Sequence, residues 1–272
     1  MDIVSLLSMA YLQRALIAGT LIAIACAICG VFLVSRRFAL IGDGLAHAGF
    51  ASIALALLLG LAPLVVAVPL IVVAALGMVE LGRRAGVHGD AAIGMVASFG
   101  IAAGVLMAHA AGGFNVDLFA YLFGSILAVG QVELCLAAVL AIIATGLALH
   151  RHRRWFALVF DEEHAASQGL DPVAELRLLV VVSAVVVVLG IRMVGSLLVT
   201  SLLIFPAVTA SQVAVGFRSM LPLAACCGVL SIWLGLAGAL VMDAPPGACI
   251  VMAAGLLFAV AVGARRLGLS RQ

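Results

Sequence analysis

The chain has 272 residues, of which 66% are hydrophobic and 10% charged, and its mean hydropathy is +1.36. A soluble globular domain carries about 25% charged residues, so this composition excludes that class and indicates a polytopic membrane protein. The net charge of +2 is too small to indicate a nucleic-acid partner, and we expect none.

Apolar runs long enough to cross a bilayer begin near Ala15 and recur to Gly263, whereas one span needs roughly 20 apolar residues. They cover residues 15–35, 42–60, 63–82, 91–112, 122–149, 178–191, 193–216, 221–242 and 247–263. Only Arg192 separates two of these runs, so we predict about nine spans, or eight if that region is one broken element. The fold class is therefore all-α, with residues 1–272 as a single transmembrane domain.

The 14 basic residues, all of them arginines, predict the orientation, because cytoplasmic loops carry an excess of basic residues. All except Arg14 and Arg192 fall on one side, which we predict to be cytoplasmic. The arginines of that side are Arg36, Arg37, Arg83, Arg84, Arg151, Arg153, Arg154, Arg177, Arg218, Arg265, Arg266 and Arg271. The C-terminus is then cytoplasmic. The first residues lack a basic n-region and a small-residue cleavage site, so we expect no removable signal peptide.

The stretch RRFALIGDGLAHAGF, residues 36–50, places Asp43 and His47 four residues apart within an apolar run. This spacing puts both side chains on one helical face. At 1.5 Å per residue, His47 lies roughly 15 Å deeper than Arg37, close to the middle of a hydrocarbon core of about 30 Å. Ionisable groups at that depth normally face a bundle interior or an aqueous path. Carboxylate and imidazole together suit Zn²⁺, and carboxylate also suits Mn²⁺.

A structural interpretation of the pair stays open, in which an Asp–His hydrogen bond locks helices together. The glycines at positions 42, 44 and 49 allow close packing under either interpretation. His109, toward the outer end of its span, is predicted to be a packing residue, with an aqueous vestibule as the alternative. Cys26 and Cys29 form a CxxC within a span, where small packing residues are expected, because no second pair completes a zinc knuckle.

The polar segment 151–177 interrupts the apolar pattern on the predicted cytoplasmic side. Within it, FDEEHAASQGLDP predicts a short helix with Asp161, Glu162 and Glu163 in the first turn, where acidic residues complement the helix dipole. Gly169 is predicted to stop this helix, and Pro172 to end the segment. Such a helix is either a docking element for a partner or an ordinary loop helix.

Five blocks in chain order resemble the permease subunits of bacterial zinc, manganese and iron ABC importers, over about residues 15–263. The arginine pair followed by G-D-x-L-x-H, within GVFLVSRRFALIGDGLAHAGFASIAL, resembles the first signature of that family. The other four are VDLFAYLFGSILAV (116–129), FDEEHAASQGL (160–170), VGSLLVTSLLIFPAVTA (194–210) and APPGACIVM (244–252). A lone D-x-x-x-H would be unspecific, but five blocks at compatible spacing are specific.

The resemblance implies the type II ABC importer permease fold, in the bacterial inner membrane. It implies a homodimer of permeases in the lipid bilayer, assembled with two ATPase subunits and an extracytoplasmic metal-binding protein. It also implies that Asp43 and His47 contribute to an intramembrane metal site, and that residues 160–169 dock the ATPase. The docking residues are then Phe160, Asp161, Glu162, Glu163, His164, Ala165 and Gly169.

Within the family, NVDLFAYLFG is more similar to the zinc branch than to the manganese branch. Zinc is therefore the expected cargo, with manganese or iron as alternatives, and no cofactor is expected to stay bound. Ser125 follows LFG in this chain, whereas an acidic or amide residue often stands at that position in the family. We therefore infer no gating or receptor contact from Ser125. The expected mechanism is alternating access powered by a separate ATPase. The chain has no lysine, which excludes a P-loop, so it is not expected to be an enzyme.

Three rival interpretations make different demands on the sequence. A self-sufficient secondary metal transporter driven by proton exchange would show internal inverted repeats, and we find no convincing one. An intramembrane metalloprotease would need HExxH or an equivalent set of three ligands with a general base. An importer of an organic chelate would need a wide, ligand-poor path instead of a metal-binding pair.

Overall fold

The structure is a computed structural model, and it describes residues 10–110 and 130–267. Over these residues the chain forms α-helices joined by short turns, without a strand. The helices are α1 (Ala10–Ser35), α2 (Ile41–Leu59), α3 (Pro63–Arg84), α4 (Gly89–Ala110), α5 (Gln131–Phe160), α6 (Glu162–Ser167), α7 (Pro172–Val194), α8 (Ser196–Val213), α9 (Phe217–Met242) and α10 (Pro246–Arg266).

The described part of the chain has 9 helices that are long and apolar enough to cross a membrane. Only α6 is too short. The all-α prediction is therefore confirmed, with nine spans rather than eight. Proline starts α3, α7 and α10, where its fixed φ suits the first turn and its missing N–H leaves no helical hydrogen bond unmade.

The fifth span departs most from its predicted boundaries. We predicted a span over 122–149 and a polar loop from residue 151, whereas α5 continues to Phe160. Residues 122–129 lie outside the described residues. The helix continues past its arginines because Trp155 and Leu158 are fully buried, and because two of those arginines pair with a carboxylate of α7. Tertiary contacts thus override the polar composition of this stretch.

The seventh helix begins earlier than the predicted boundary at residue 178. Pro172 is its first residue, and the Asp171 carboxylate accepts hydrogen bonds from the backbone N–H groups of Val173 and Ala174 at 3.0 and 3.2 Å. Asp is a preferred N-cap because it satisfies donors that the first helical turn leaves free. The predicted polar segment 151–177 is therefore mostly helical.

The break between α7 and α8 lies at Gly195, not at Arg192 as we predicted. Arg192 is in the last turn of α7, and Gly195 has φ +87° and ψ +159°. This region of backbone space is nearly restricted to glycine. Val199 of α8 packs directly on Gly190 of α7, as expected when the chain reverses its direction.

The first helix lies at the centre of the protein. Of its most apolar stretch 72% is buried, against 28% for α3, α4, α5 and α10. It packs against α5, α7, α8 and α9, and Phe32 on α1 contacts the rings of Trp155 and Phe217. The peripheral helices therefore present their apolar side chains outward, as a membrane environment requires.

Ion pairs connect several helices near one end of the protein. We call it the arginine-rich end, and it contains Arg36, Arg151, Arg154 and Arg177. Arg36, just after α1, pairs with Glu162 of α6 at 2.8 Å. Glu80 near the end of α3 accepts a hydrogen bond from Nε of Arg177 in α7 at 3.0 Å. Glu175 near the start of α7 pairs with arginines near the end of α5. The structure thus places these arginines together, as the predicted orientation requires.

Candidate functional site

The turn between α1 and α2 is short and hydrogen-bonded. The Phe38 N–H donates to the Leu33 carbonyl at 2.9 Å, and the Arg37 N–H to the Val34 carbonyl at 3.0 Å. This pattern is a Schellman motif, whose left-handed position is usually glycine. Here Arg37 takes it, with φ +62°. Residues 36–40 therefore hold α2 in a defined position relative to α1.

Asp43 lies in the first turn of α2, and His47 lies one turn further along the same face. A carboxylate in the first turn is stabilised by the positive end of the helix dipole. At 1.5 Å per residue, His47 lies about 5 Å from the middle of α2 and Asp43 about 10 Å from it. The pair therefore occupies the half of α2 nearer the arginine-rich end.

The two side chains approach each other without a hydrogen bond. His47 Nε2 lies 3.6 Å from Asp43 Oδ2, which is longer than a hydrogen bond allows. The His47 side chain is 32% exposed and the Asp43 side chain 58% exposed. The described geometry therefore contains no Asp43–His47 hydrogen bond, and the packing interpretation of the pair stays open beside the metal-site prediction. The geometry leaves lone pairs of both side chains available to a ligand.

The remainder of α2 is packed tightly against its neighbours. Gly100 of α4 lies directly on the His47 backbone, since a Cβ added there would be 2.9 Å from the His47 carbonyl oxygen. A Cβ at Gly44 would be 2.8 Å from side-chain atoms of Met78 and Ile93. Gly42 is similarly close to Leu203. Glycines on both helices thus permit the close approach predicted from the sequence.

The ligand set of the site is small. Among the described residues, no group of three or more His, Cys, Asp or Glu side chains is placed to hold a metal ion. Cys26 and Cys29 are buried within α1, as expected of small packing residues. His109 is exposed in the last turn of α4, beside residues that lie outside the described part of the chain, and its packing role stays a prediction. The LFG block and Ser125 lie outside the described residues.

The short helix α6 forms where the sequence predicted it. The Asp161 carboxylate caps it by accepting the backbone N–H of His164 at 2.8 Å, and Glu162 and Glu163 follow in the first turn. Gly169 has φ +80°, the left-handed conformation that stops a helix. Pro172 begins α7 and so also marks the end of this segment.

The surface around α6 is acidic with one prominent aromatic side chain. Phe160 is 68% exposed, and its ring lies 4.5 Å from that of Phe156 and 6.2 Å from that of Phe217. Ala165 is buried and attaches α6 to the protein, whereas Asp161, Glu162 and Glu163 are exposed. An exposed phenylalanine beside carboxylates at one end of a membrane protein is a suitable contact surface for another protein.

Sequence reasoning did not identify two residues that build this end of the protein. Glu175 is buried and binds three side chains of α5, while Arg36 binds Glu162 of α6 and the Leu158 carbonyl. The spacing of Arg151, Arg154 and Trp155 on one face of α5 was a signal that an acidic partner was required.

These features define a multi-pass α-helical membrane protein, with a partly exposed Asp–His pair on one membrane helix and an exposed aromatic and acidic surface at one end. The model of the ABC 3 transport family matches residues 8–265. The chain belongs to the ABC 3 transport family, and its resemblance to permease subunits of metal ABC importers is confirmed.

Relatives and a solved structure match over nearly the full length of the chain. The manganese transport system membrane protein MntC of Halalkalibacterium halodurans is 33% identical over 256 residues, covering 94% of this chain and 88% of that protein. The high-affinity zinc uptake system membrane protein ZnuB of Haemophilus influenzae is 30% identical over 248 residues, covering 91% and 95%. A chain of PsaBC from Streptococcus pneumoniae in complex with Fab has a TM-score of 0.83 at 29% identity, covering 95% and 93%. The predicted permease fold is thereby confirmed.

Proposed function

We propose that the chain is the membrane-spanning permease subunit of an ATP-driven importer of divalent metal ions, and that its ion is zinc. The observation that carries the proposal is the Asp43–His47 pair on a membrane helix, where both ligating side chains are partly exposed. The metal is the cargo and not a resident cofactor.

The energetics of burial in a membrane favour a transport role for this pair. Asp43 and His47 lie within the apolar span of α2, and ionisable side chains within a span normally face a bundle interior or an aqueous path, so this face of α2 lines an aqueous path or meets another subunit. A second copy of the chain would add a second Asp43 and His47. Two imidazole nitrogens and two carboxylates would then provide four ligands, the number that zinc takes in tetrahedral sites.

The preference for zinc rests on the imidazole and on the sequence around residues 115–124. Imidazole suits zinc, whereas manganese prefers oxygen ligands, and the pair supplies one donor of each kind. Manganese is the first alternative, because a relative is named for manganese transport, and iron is the second. Zinc is also the ion named for another relative of similar identity.

We further propose that α6 and Phe160 dock an ABC ATPase, with two ATPase copies serving a permease homodimer. The docking residues are Phe160, Asp161, Glu162, Glu163, His164, Ala165 and Gly169 of the segment 151–177. The chain has no lysine and so no P-loop, which assigns ATP hydrolysis to that partner. The arginine-rich end then faces the cytoplasm, with the C-terminus on the same side. An extracytoplasmic metal-binding protein delivers the ion to the opposite end.

The proposed mechanism is alternating access in the bacterial inner membrane. ATP binding and hydrolysis move the docked α6 helices, and the spanning helices of the single domain, residues 1–272, reorient around the pair. Asp43 replaces part of the ion's hydration shell with a negative charge, while neutral His47 supplies a nitrogen ligand. No covalent chemistry takes place in this chain.

Metal accumulation in cells that contain the partner subunits tests the proposal. Asp43→Asn and His47→Ala are compared with the wild type, with zinc and manganese measured in parallel. Asp243→Asn and His150→Ala are matched controls, because both positions are exposed and lie away from α2, Asp243 just after α9 and His150 within α5. Permease abundance and co-purification of the ATPase are recorded for every variant.

The expected result is zinc uptake that is lost in both α2 variants and kept in both controls. Loss of manganese uptake instead would replace zinc by manganese as the cargo. Wild-type uptake in both α2 variants would contradict a metal site at this pair and leave it a packing feature.

A further inference from the structure

We propose that Arg36 is a positioning residue that links the docking helix α6 to the metal-site helix α2. This inference rests on the proposed function, because it concerns how ATP hydrolysis moves the metal site. It assigns a role to Arg36, the first arginine of the first sequence signature, which the metal site and the docking surface leave unexplained.

The guanidinium of Arg36 binds two acceptors at the junction of α5 and α6. Its Nη2 donates to Glu162 Oε2 at 2.8 Å, and its Nη1 donates to the backbone carbonyl of Leu158 at 2.9 Å. An exposed ion pair alone contributes little, but a planar guanidinium held by two acceptors has a fixed orientation. Any displacement of the first turn of α6 therefore acts on Arg36.

The backbone of Arg36 is continuous with the turn that leads into α2. Only residues 36–40 separate α1 from α2, and backbone hydrogen bonds from Arg37 and Phe38 close the turn onto α1. The Gly44 N–H donates to the Leu40 carbonyl at 3.1 Å, so the turn passes directly into the first turn of α2. A short, hydrogen-bonded connection of this kind transmits a displacement of Arg36 to α2. Asp43 lies in the first helical turn of α2, directly after the connection.

α6 is attached to the spanning helices through contacts with α5 and α7, through the buried Ala165 and through one ion pair. Among residues 10–110 and 130–267, Arg36–Glu162 is the only ion pair that joins α6 to another part of the chain. Arg36 Nε is buried and finds no acceptor within the described residues. Arg36 therefore keeps a donor for a different acceptor when α6 moves.

The test uses the full complex of permease, ATPase and metal-binding protein, reconstituted in proteoliposomes. ATP hydrolysis and radioactive zinc uptake are measured in the same vesicles, which gives the ATP consumed per zinc ion imported. The variants are Arg36→Gln, Glu162→Gln and their combination. Arg84→Gln is the matched control, because Arg84 pairs with Glu80 near the same end without contacting α6.

We expect ATP consumed per zinc imported to rise by about two- to thirtyfold in each single variant, the range that network residues exert on coupling between sites. The combined variant should match the single variants, because both remove one shared interaction. Arg84→Gln should keep the wild-type ratio. If Arg36→Gln fails to assemble, Arg36→Lys takes its place, since lysine keeps the charge but lacks the planar guanidinium that fixes the orientation between the two acceptors, and the ratio should again rise.

A wild-type ratio in the Arg36 variant that assembles would overturn the inference. The inference would also be overturned if the increase in ATP consumed per zinc in the combined variant equalled the product of the two single increases. The two residues would then act independently. A wild-type complex that neither imports zinc nor hydrolyses ATP in response to it would contradict the proposed function itself. The wild type and the variants therefore report separately on the two proposals.

Discussion

The indole N–H of Trp155 donates to one carboxylate oxygen of Glu175 at 3.1 Å, and this bond joins α5 to α7. Trp155 is fully buried, and Glu175 is only 6% exposed. The other carboxylate oxygen lies 2.6 Å from Arg151 and 3.2 Å from Arg154. A carboxylate is stable in such surroundings because opposite charges and a donated N–H replace the water it has lost.

Removing this carboxylate should destabilise the permease. We expect Glu175→Ala to lower the free energy of unfolding by about 2–3 kcal/mol, less than a fully buried pair, because Arg151 and Arg154 are partly exposed. Thermal unfolding of the purified protein in detergent measures the effect. Glu163→Ala is the control, since Glu163 is exposed and should change stability by less than about 0.5 kcal/mol. Equal unfolding temperatures for the two variants would contradict this account of the cluster.

The contact between α4 and the backbone of His47 should tolerate no added carbon atom. Gly100→Ala places a Cβ 2.9 Å from the His47 carbonyl oxygen, so α2 and α4 must separate. We expect a loss of about 1–3 kcal/mol in stability, together with reduced zinc uptake. Gly94→Ala is a control in the same helix, where no atom lies within 4 Å of the added Cβ. That variant should be neutral or more stable by up to about 1 kcal/mol, and a similar loss in both would argue against the close approach.

The connection between α7 and α8 should depend on glycine. Because Gly195 has φ +87° and ψ +159°, we expect Gly195→Ala to cost about 1–3 kcal/mol through backbone strain. Gly146→Ala, inside α5 with open space around it, serves as the comparison and should not destabilise the protein. Unfolding midpoints in detergent separate the two cases. A Gly195→Ala protein as stable as wild type would mean that this turn can adopt another conformation.

The exposed ring of Phe160 should contribute to ATPase binding. Removal of an aromatic anchor at the centre of an interface costs about 2 kcal/mol or more, which corresponds to roughly thirtyfold weaker association. Titration of the ATPase subunit against Phe160→Ala permease in detergent measures this, and the thermal stability should stay unchanged. Phe99→Ala removes an equally exposed ring from the middle of α4 and should leave the affinity unaltered. Wild-type affinity for Phe160→Ala would place the docking surface elsewhere.

Several elements could be predicted from the sequence because their causes are local. Apolar runs of spanning length predicted the nine candidate spans, and i,i+4 spacing placed Asp43 and His47 on one face. The acidic residues and Gly169 predicted α6 and its stop, although Asp161, which we placed in the first turn, is the N-cap instead. The metal site and the docking role stay predictions, since their partners are not part of this chain.

The length of α5 and the position of the α7–α8 break were wrong for a common reason. In both places we treated an arginine as the end of a span. The structure instead neutralises Arg151 and Arg154 with a carboxylate from another helix, and Arg192 remains within α7. The chain reverses three residues later, where glycine permits the backbone conformation.

The sequence by itself determined the class, the number of candidate spans and the placement of Asp43 and His47 on one helical face, because each depends on composition or on spacing within one helix. Only the tertiary structure decided which charges meet. Arg36 and Glu162 are 126 residues apart in the chain, and Trp155 and Glu175 lie on different helices. The tertiary structure also showed that Asp43 and His47 are partly exposed. Helical periodicity places side chains on a face, but only the packing of other helices determines whether that face is covered.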